Sequence, residues 1–160
     1  MADTEKKYAA KAFVSCSLRQ KDEKFVNYVC RILEVHNIQA FGTVGKFSAS
    51  PENPITLMNK NIPLADFVVI VATPRYIQKD LTTGIITHGL SEMVHVETGM
   101  AIAHGKPAVV FVQEGTNIGN AIPNITQYVT LNRQENDFDA KKNHFLSTKQ
   151  RISICSKSKN

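Results

Sequence analysis

Asp66-Phe67-Val68-Val69-Ile70-Val71-Ala72 is apolar at every position after its first residue, with no polar alternation. A run of that kind is what a strand looks like when both faces of its sheet are covered, so it predicts the centre of a parallel sheet. Moving toward the N-terminus, Ile55 to Asn61 reads as a short helix closed by Pro63. Before it lies a long loop rich in Gly, Ser and Pro, Gly42 to Pro54 (GTVGKFSASPENP), and before that a strand, Ile38 to Phe41. Asn37 ends a helix that spans Asp22 to His36, in which Phe25, Val29, Ile32 and Leu33 share one face. Lys11 to Cys16 is the first strand. Moving the other way, a loop from Thr73 to Gly89 leads to a helix from Ser91 to His104, with Ser91 as its N-cap. Gly105-Lys106-Pro107 stops that helix, and Ala108 to Val112 forms the next buried strand. After a loop containing Gly115 and Gly119 come an edge strand at Tyr128 to Leu131 and a last helix over Asp137 to Ile152.

Strands alternating with helices predict an α/β chain: a flavodoxin-like three-layer sandwich whose central parallel sheet has about five strands, with helices on both faces. A ligand crevice in such a sheet lies outside the carboxyl ends of the strands. That directs attention to Ser17–Arg19, the loop after Phe41, and the segments after Ala72 and Val112.

Length and composition are compatible with one domain: 160 residues, 42% hydrophobic and 21% charged. We expect residues 1–10 to be an extension, 11–152 the domain and 153–160 a basic tail. No apolar run is long enough to span a bilayer and the N-terminus has no apolar leader, so the expected location is the cytoplasm, away from membranes. The net charge of +5 hints at nucleic acid, but six basic and no acidic residues fall between Lys141 and Asn160. The body is therefore near neutral and offers no basic, aromatic-studded groove, so no nucleic-acid partner is expected. Cys16, Cys30 and Cys155 are far apart and include no CxxC pair, which argues against a disulfide framework and a zinc site.

Glu97 is the residue most out of place. On a helix it shares a face with Met93, Val94, Met100, Ala101 and His104. A carboxylate on that largely apolar stripe is either a functional acid or the partner of a basic group beneath the helix. Burial raises its pKa and the helix start lowers it, so a perturbed group is expected with the direction open. Glu92 falls on the opposite face. Gly42-Thr43-Val44-Gly45-Lys46 lacks the Walker spacing, and the stretch reads better as a mobile loop over a pocket. Arg19, just after the first strand, is either a phosphate partner or a surface charge. The histidines have no metal-type spacing, Ser15 and Ser17 lack a nucleophile elbow, and Cys16 reads as core, so no metal and no Ser- or Cys-based hydrolysis is expected.

KAFVSCSLRQKDEKF at Lys11–Phe25 resembles the first strand and following loop of Toll/interleukin-1 receptor (TIR) domains. Ile55 to Ile70 resembles the short helix feeding their third strand. Met93-Val94-His95-Val96-Glu97 is similar to the motif in which a Trp stands four residues before the catalytic Glu, ahead of an alanine-rich helix and a Gly-Lys-Pro stop. The resemblance covers residues 10–150 and implies cleavage of NAD at the nicotinamide–ribose bond, giving linear or cyclic ADP-ribose in defence signalling. NAD is then the substrate, with no separate cofactor, and a homo-oligomer or an assembly with an effector or sensor protein is implied. By position, Glu97 would be catalytic. Ser17, Leu18 and Arg19 would face the diphosphate or adenosine, Phe41 and Gly42 would open the mobile loop, and Thr73 would contact substrate. Tyr76 would flank the nicotinamide, and Met93 stands where the Trp is usual. The loop after Phe41 also lacks the acidic-Pro-Gly character of that family. Two alternatives remain: a nucleoside deoxyribosyltransferase-like N-glycosidase, which Asp66 to Phe111 resembles and in which a Glu on this helix acts at the sugar C1′, and a non-catalytic TIR adaptor.

Overall fold

The computed structural model describes residues 8–42, 53–119, 122 and 126–132. The expected helix over 137–152, the basic tail and most of the Gly42–Pro54 loop lie outside the described residues. In chain order the elements are β1 (Ala10–Ser15), α1 (Glu23–Val35), β2 (Ile38–Phe41), α2 (Pro54–Asn61), β3 (Phe67–Ala72), β4 (Tyr76–Lys79), β5 (Ile86–Gly89), α3 (Glu92–Ala103), β6 (Ala108–Gln113), β7 (Thr116–Asn117) and β8 (Gln127–Leu131). Short 3-10 turns at Gln20–Asp22 and Ile62–Leu64 lead into α1 and out of α2.

Five strands form one parallel sheet in the order β2-β1-β3-β6-β8. The expected three-layer α/β sandwich is therefore the observed fold. Every residue of β3 is buried, as the unbroken apolar run requires of a strand with a neighbour on each side and a covered face above and below. One apolar cluster joins Phe25, Val29, Ile32 and Leu33 of α1 to Val14, Val69 and Phe111 on one sheet face. The other joins Met58 of α2 and Val94 and Ala101 of α3 to Phe13, Val68, Ile70 and Val110 on the opposite face.

Helix ends fall where local chemistry puts them. Asn37, just past the His36 C-cap of α1, adopts φ 56°, a left-handed conformation that Asn tolerates better than most residues. Gly105, with φ 64°, ends α3 in a Schellman motif: its N–H donates to the Ile102 carbonyl and the Lys106 N–H to that of Ala101, both at 2.9 Å.

The segment Thr73–Gly89, expected to be a loop, instead contains the antiparallel hairpin β4–β5, which with β7 makes a second, three-stranded sheet. Its turn is built by Asp80, whose Oδ1 accepts from the backbone N–H groups of Thr82 (2.9 Å) and Thr83 (2.6 Å), and by Gly84 at φ 73°. Ile77, Ile85 and Ile86 were the strand signal, diluted in the sequence by the polar residues of the turn.

Candidate active site

From β1 the chain goes on to β2 on one side, and from β3 to β6 on the other, so the connections leaving the carboxyl ends of β1 and β3 run in opposite directions. That switch point is where a doubly wound sheet opens a crevice. A cavity of about 530 Å³ lies there, within the range of small-molecule sites. Its floor comes from the ends of β1 (Phe13, Ser15, Cys16) and β3 (Val71, Thr73), and Gly42 follows β2. Pro54, Leu57 and Met58 of α2 form one wall; Ser91 and the first two turns of α3, through Met93, Val94 and Glu97, form the facing wall.

Glu97 reaches the cavity because α3 turns its Val94, Thr98 and Ala101 ridge into the core, leaving position 97 on the shoulder of that ridge. Thr98, fully buried, satisfies its hydroxyl by donating to the Val94 carbonyl at 2.7 Å. Burial lifts the Glu97 carboxyl to about pH 7, opposed by a hydrogen bond from the Ser15 hydroxyl. Ser15 is the last residue of β1 and lies two positions beyond Phe13, on the sheet face that α3 covers. The direction left open by the sequence is thus decided by desolvation, and among the described residues no basic side chain supplies the ion pair of the alternative reading.

Arg19 lines the cavity as expected, but its guanidinium is committed. Nε and Nη2 both lie 2.7 Å from Asp22 Oδ2, and Nη2 also donates to the Pro74 carbonyl at 2.9 Å. It ties the loop after β1 to the segment after β3 and so braces the mouth. Arg75, which the sequence reading passed over, also lines the cavity and has no side-chain partner among the described residues. The segment after Ala72 is one of the predicted crevice positions, and within it the TIR resemblance, carried over by position, points to Tyr76 and not to Arg75.

Of the expected site residues, Glu97, Ser17, Leu18, Arg19, Gly42, Thr73 and Met93 meet at this cavity. Phe41 and Tyr76 do not line it. Phe41 stacks edge-on against Phe13, with centroids 6.1 Å apart, and Tyr76 is exposed on the hairpin. Ser91 occupies the N-cap position of α3, but its side chain makes no capping bond. Among the described residues no cluster of His, Cys, Asp or Glu is arranged to hold a metal ion.

No family model and no curated protein sequence matches the chain. Its structure is similar to that of Clostridium botulinum CMP N-glycosidase, with TM-score 0.53 and 16% identity over 84% of this chain and 98% of that one. It is also similar to a 2-deoxyribosyltransferase from Bacillus psychrosaccharolyticus, with TM-score 0.51 and 17% identity over 75% and 85%. The likeness is one of fold. It overturns the TIR assignment: the similar solved structures include a glycosidase and a deoxyribosyltransferase, the group weighed above as an alternative, and these two are not TIR domains. The misreading has a physical cause. A buried first strand, a short helix feeding the third strand and a Gly-Lys-Pro stop serve this arrangement of strands and helices whatever reaction it hosts.

Proposed function

We propose that this chain is an enzyme that cleaves the N-glycosidic bond of a nucleoside 5′-monophosphate, with Glu97 acting at C1′ of the sugar. The observation that carries the reading is a carboxyl group desolvated enough to titrate near pH 7, held by Ser15 in a cavity large enough for a nucleotide, at the switch point of the sheet. The likeness in fold to the CMP N-glycosidase and the 2-deoxyribosyltransferase supports it.

Breaking a C1′–N bond needs little beyond a well-placed anion. As the base departs with the bonding electron pair, positive charge grows on C1′ and the ring oxygen. The ionised Glu97 carboxylate, poorly solvated and therefore strongly felt, stabilises that charge and closes on C1′. The departing base takes up a proton from solvent. Water then adds to C1′, the bond to Glu97 breaks, the water's second proton returns to solvent and the carboxylate is regenerated. Arg75 and the N-terminal turn of α3 at Ser91 supply the positive end of the cavity for the 5′-phosphate. The Phe13, Leu57 and Met58 wall takes the apolar surface of the nucleotide.

The experiment is to incubate the protein with CMP, dCMP, the other nucleoside monophosphates, the corresponding nucleosides and NAD, and to follow the free base. We expect base release from one or more monophosphates, weaker release from the nucleosides, and a loss of about 10³-fold in Glu97→Gln with the fold retained. Release of nicotinamide alone, or base release equal in Glu97→Gln, would sink the proposal.

A further inference from the structure

Asp22 is buried and does not line the cavity, yet its carboxylate holds the guanidinium of a residue that does. Arg19 Nε and Nη2 both lie 2.7 Å from Asp22 Oδ2. The Ser17 hydroxyl accepts from the backbone N–H of Arg19 at 3.2 Å and from its Nε at 3.3 Å. A guanidinium is a planar fork, so holding Nε and Nη2 fixes where the group points. It points across the mouth of the cavity, where Nη2 donates to the Pro74 carbonyl at 2.9 Å. Asp22 stands at the N-cap position of α1 but makes no capping bond, so its carboxylate is committed to Arg19 among the described residues.

The far end of that bond bears on Arg75. The Pro74 carbonyl and the Arg75 N–H belong to one peptide group, whose atoms from one Cα to the next are coplanar. Arg19 holds the carbonyl, and the Arg75 N–H donates to the Gly89 carbonyl at 2.7 Å. The plane is pinned at both of its polar groups, and with it the Cα from which the Arg75 side chain departs. Packing supplies little of this constraint. Thr73 is buried, but the hairpin β4–β5 that follows belongs to neither apolar cluster, and all four residues of β4 are exposed. Without Arg19 the peptide keeps only its bond to Gly89, which is itself the last residue of the hairpin, so Arg75 moves as the hairpin moves.

We propose that Arg19 and Asp22 are a positioning pair that sets the Arg75 guanidinium at the 5′-phosphate and so gives the site its preference for nucleotides over nucleosides. The inference rests on the reading of Arg75 as the phosphate's partner. Arg75 meets the phosphate; Arg19 and Asp22 act through it. In Asp22→Ala, charge and position pull in opposite directions. Removing an anion beside the mouth and freeing the Arg19 guanidinium strengthens phosphate binding if Arg19 is itself a ligand. The same change weakens binding if Arg19 serves to hold the Pro74–Arg75 peptide, because a cation displaced by about 1 Å no longer meets the phosphate in register.

The test is calorimetric titration of wild type, Asp22→Ala and Arg19→Lys with ribose 5-phosphate, which carries the phosphate and no glycosidic bond. Arg19→Lys keeps a cation beside Asp22, but one ammonium cannot span Asp22 and Pro74 as the fork does. It carries the test should Asp22→Ala not fold. We expect the dissociation constant to rise about tenfold in both variants, and the Arg75 amide to lose protection from hydrogen exchange. The KM of any monophosphate cleaved should rise by the same factor, with kcat and the KM of the matching nucleoside unchanged. Binding that holds or tightens in Asp22→Ala overturns the proposal, as does full binding in Arg19→Lys. So does a wild type that does not bind ribose 5-phosphate, or a nucleoside KM that rises in step with that of the nucleotide. A chain that releases no base but shows these changes in binding and exchange refutes the glycosidase reading and supports this one.

Discussion

Glu97 and Ser15 form a pair in which each residue makes sense only beside the other. The carboxyl group is lifted to about pH 7 by burial, and the Ser15 hydroxyl, donating to it, keeps it from rising further. A hydrogen bond to a charged group is worth about 1.5–3 kcal/mol, so its loss moves a pKa by about one unit or more. We predict that Ser15→Ala shifts the acid limb of kcat/KM upward by about one pH unit. The rate should fall several-fold at pH 7 and recover toward wild type at pH 9. A purely structural role for Ser15 would lower the rate equally at all pH values, and a pH–rate profile distinguishes the two. Arg19 makes the complementary point: a cation found at a binding mouth can be spent on its neighbours, here Asp22 and the Pro74 carbonyl, while Arg75 has no such commitment among the described residues.

At the scale of elements, β1 and β2 are joined at their carboxyl ends by a contact that fixes the cavity floor. Gly42, just after β2, has φ 111°, and a Cβ there would overlap the ring of Phe13. Phe13 is buried, lines the cavity and packs edge-on to Phe41. Substitution of Gly42 by Ala therefore faces both an unfavourable backbone conformation and a clash with an aromatic ring whose retreat would be into the cavity. We predict a loss of about 2–3 kcal/mol in urea denaturation, together with weaker nucleotide binding, because the displaced ring is part of the site. Unchanged stability in Gly42→Ala would show that the β2 terminus relaxes freely.

For the whole molecule, the raised Glu97 pKa is a statement about folding. Below about pH 4.5 the carboxyl is protonated in both the folded and unfolded chain, and contributes nothing to pH dependence. Between pH 4.5 and about 7 the unfolded chain ionises while the folded one resists, so stability falls as pH rises. Above pH 7 the full cost is present, about 3 kcal/mol at most. Glu97→Gln removes this dependence. We predict that the melting temperature of the variant, relative to wild type, climbs by about 5–10 °C between pH 4.5 and pH 8, as expected for a chain of this size. A difference that stays flat across that window would mean that Glu97 is ionised as readily in the folded chain as in the unfolded one. Stability given up at a carboxylate whose charge the proposed reaction needs is the expected trade at a preorganised site.

What the sequence by itself determined is what depends on local periodicity and local chemistry. The apolar run at Phe67–Ala72 could only be a covered strand, and the 3.6-residue spacing of Phe25, Val29, Ile32 and Leu33 could only be a buried helix face. Asn37 and Gly105 could take the left-handed conformations that end α1 and α3. The parallel sheet followed from their order, and Glu97 stood out because a carboxylate interrupts an apolar stripe. The tertiary structure alone decided what touches across the chain. It set Ser15 of β1 against Glu97 of α3, bound Arg19 to the Pro74 carbonyl, and left Arg75 lining the cavity. It also turned Thr73–Gly89 into a projecting hairpin, since pairing between strands is a non-local choice that a short mixed run of apolar and turn residues does not announce. Residues 82 positions apart, as Ser15 and Glu97 are, have no local signature to read. Their meeting is set by the order in which β1, β3 and α3 are laid into the fold.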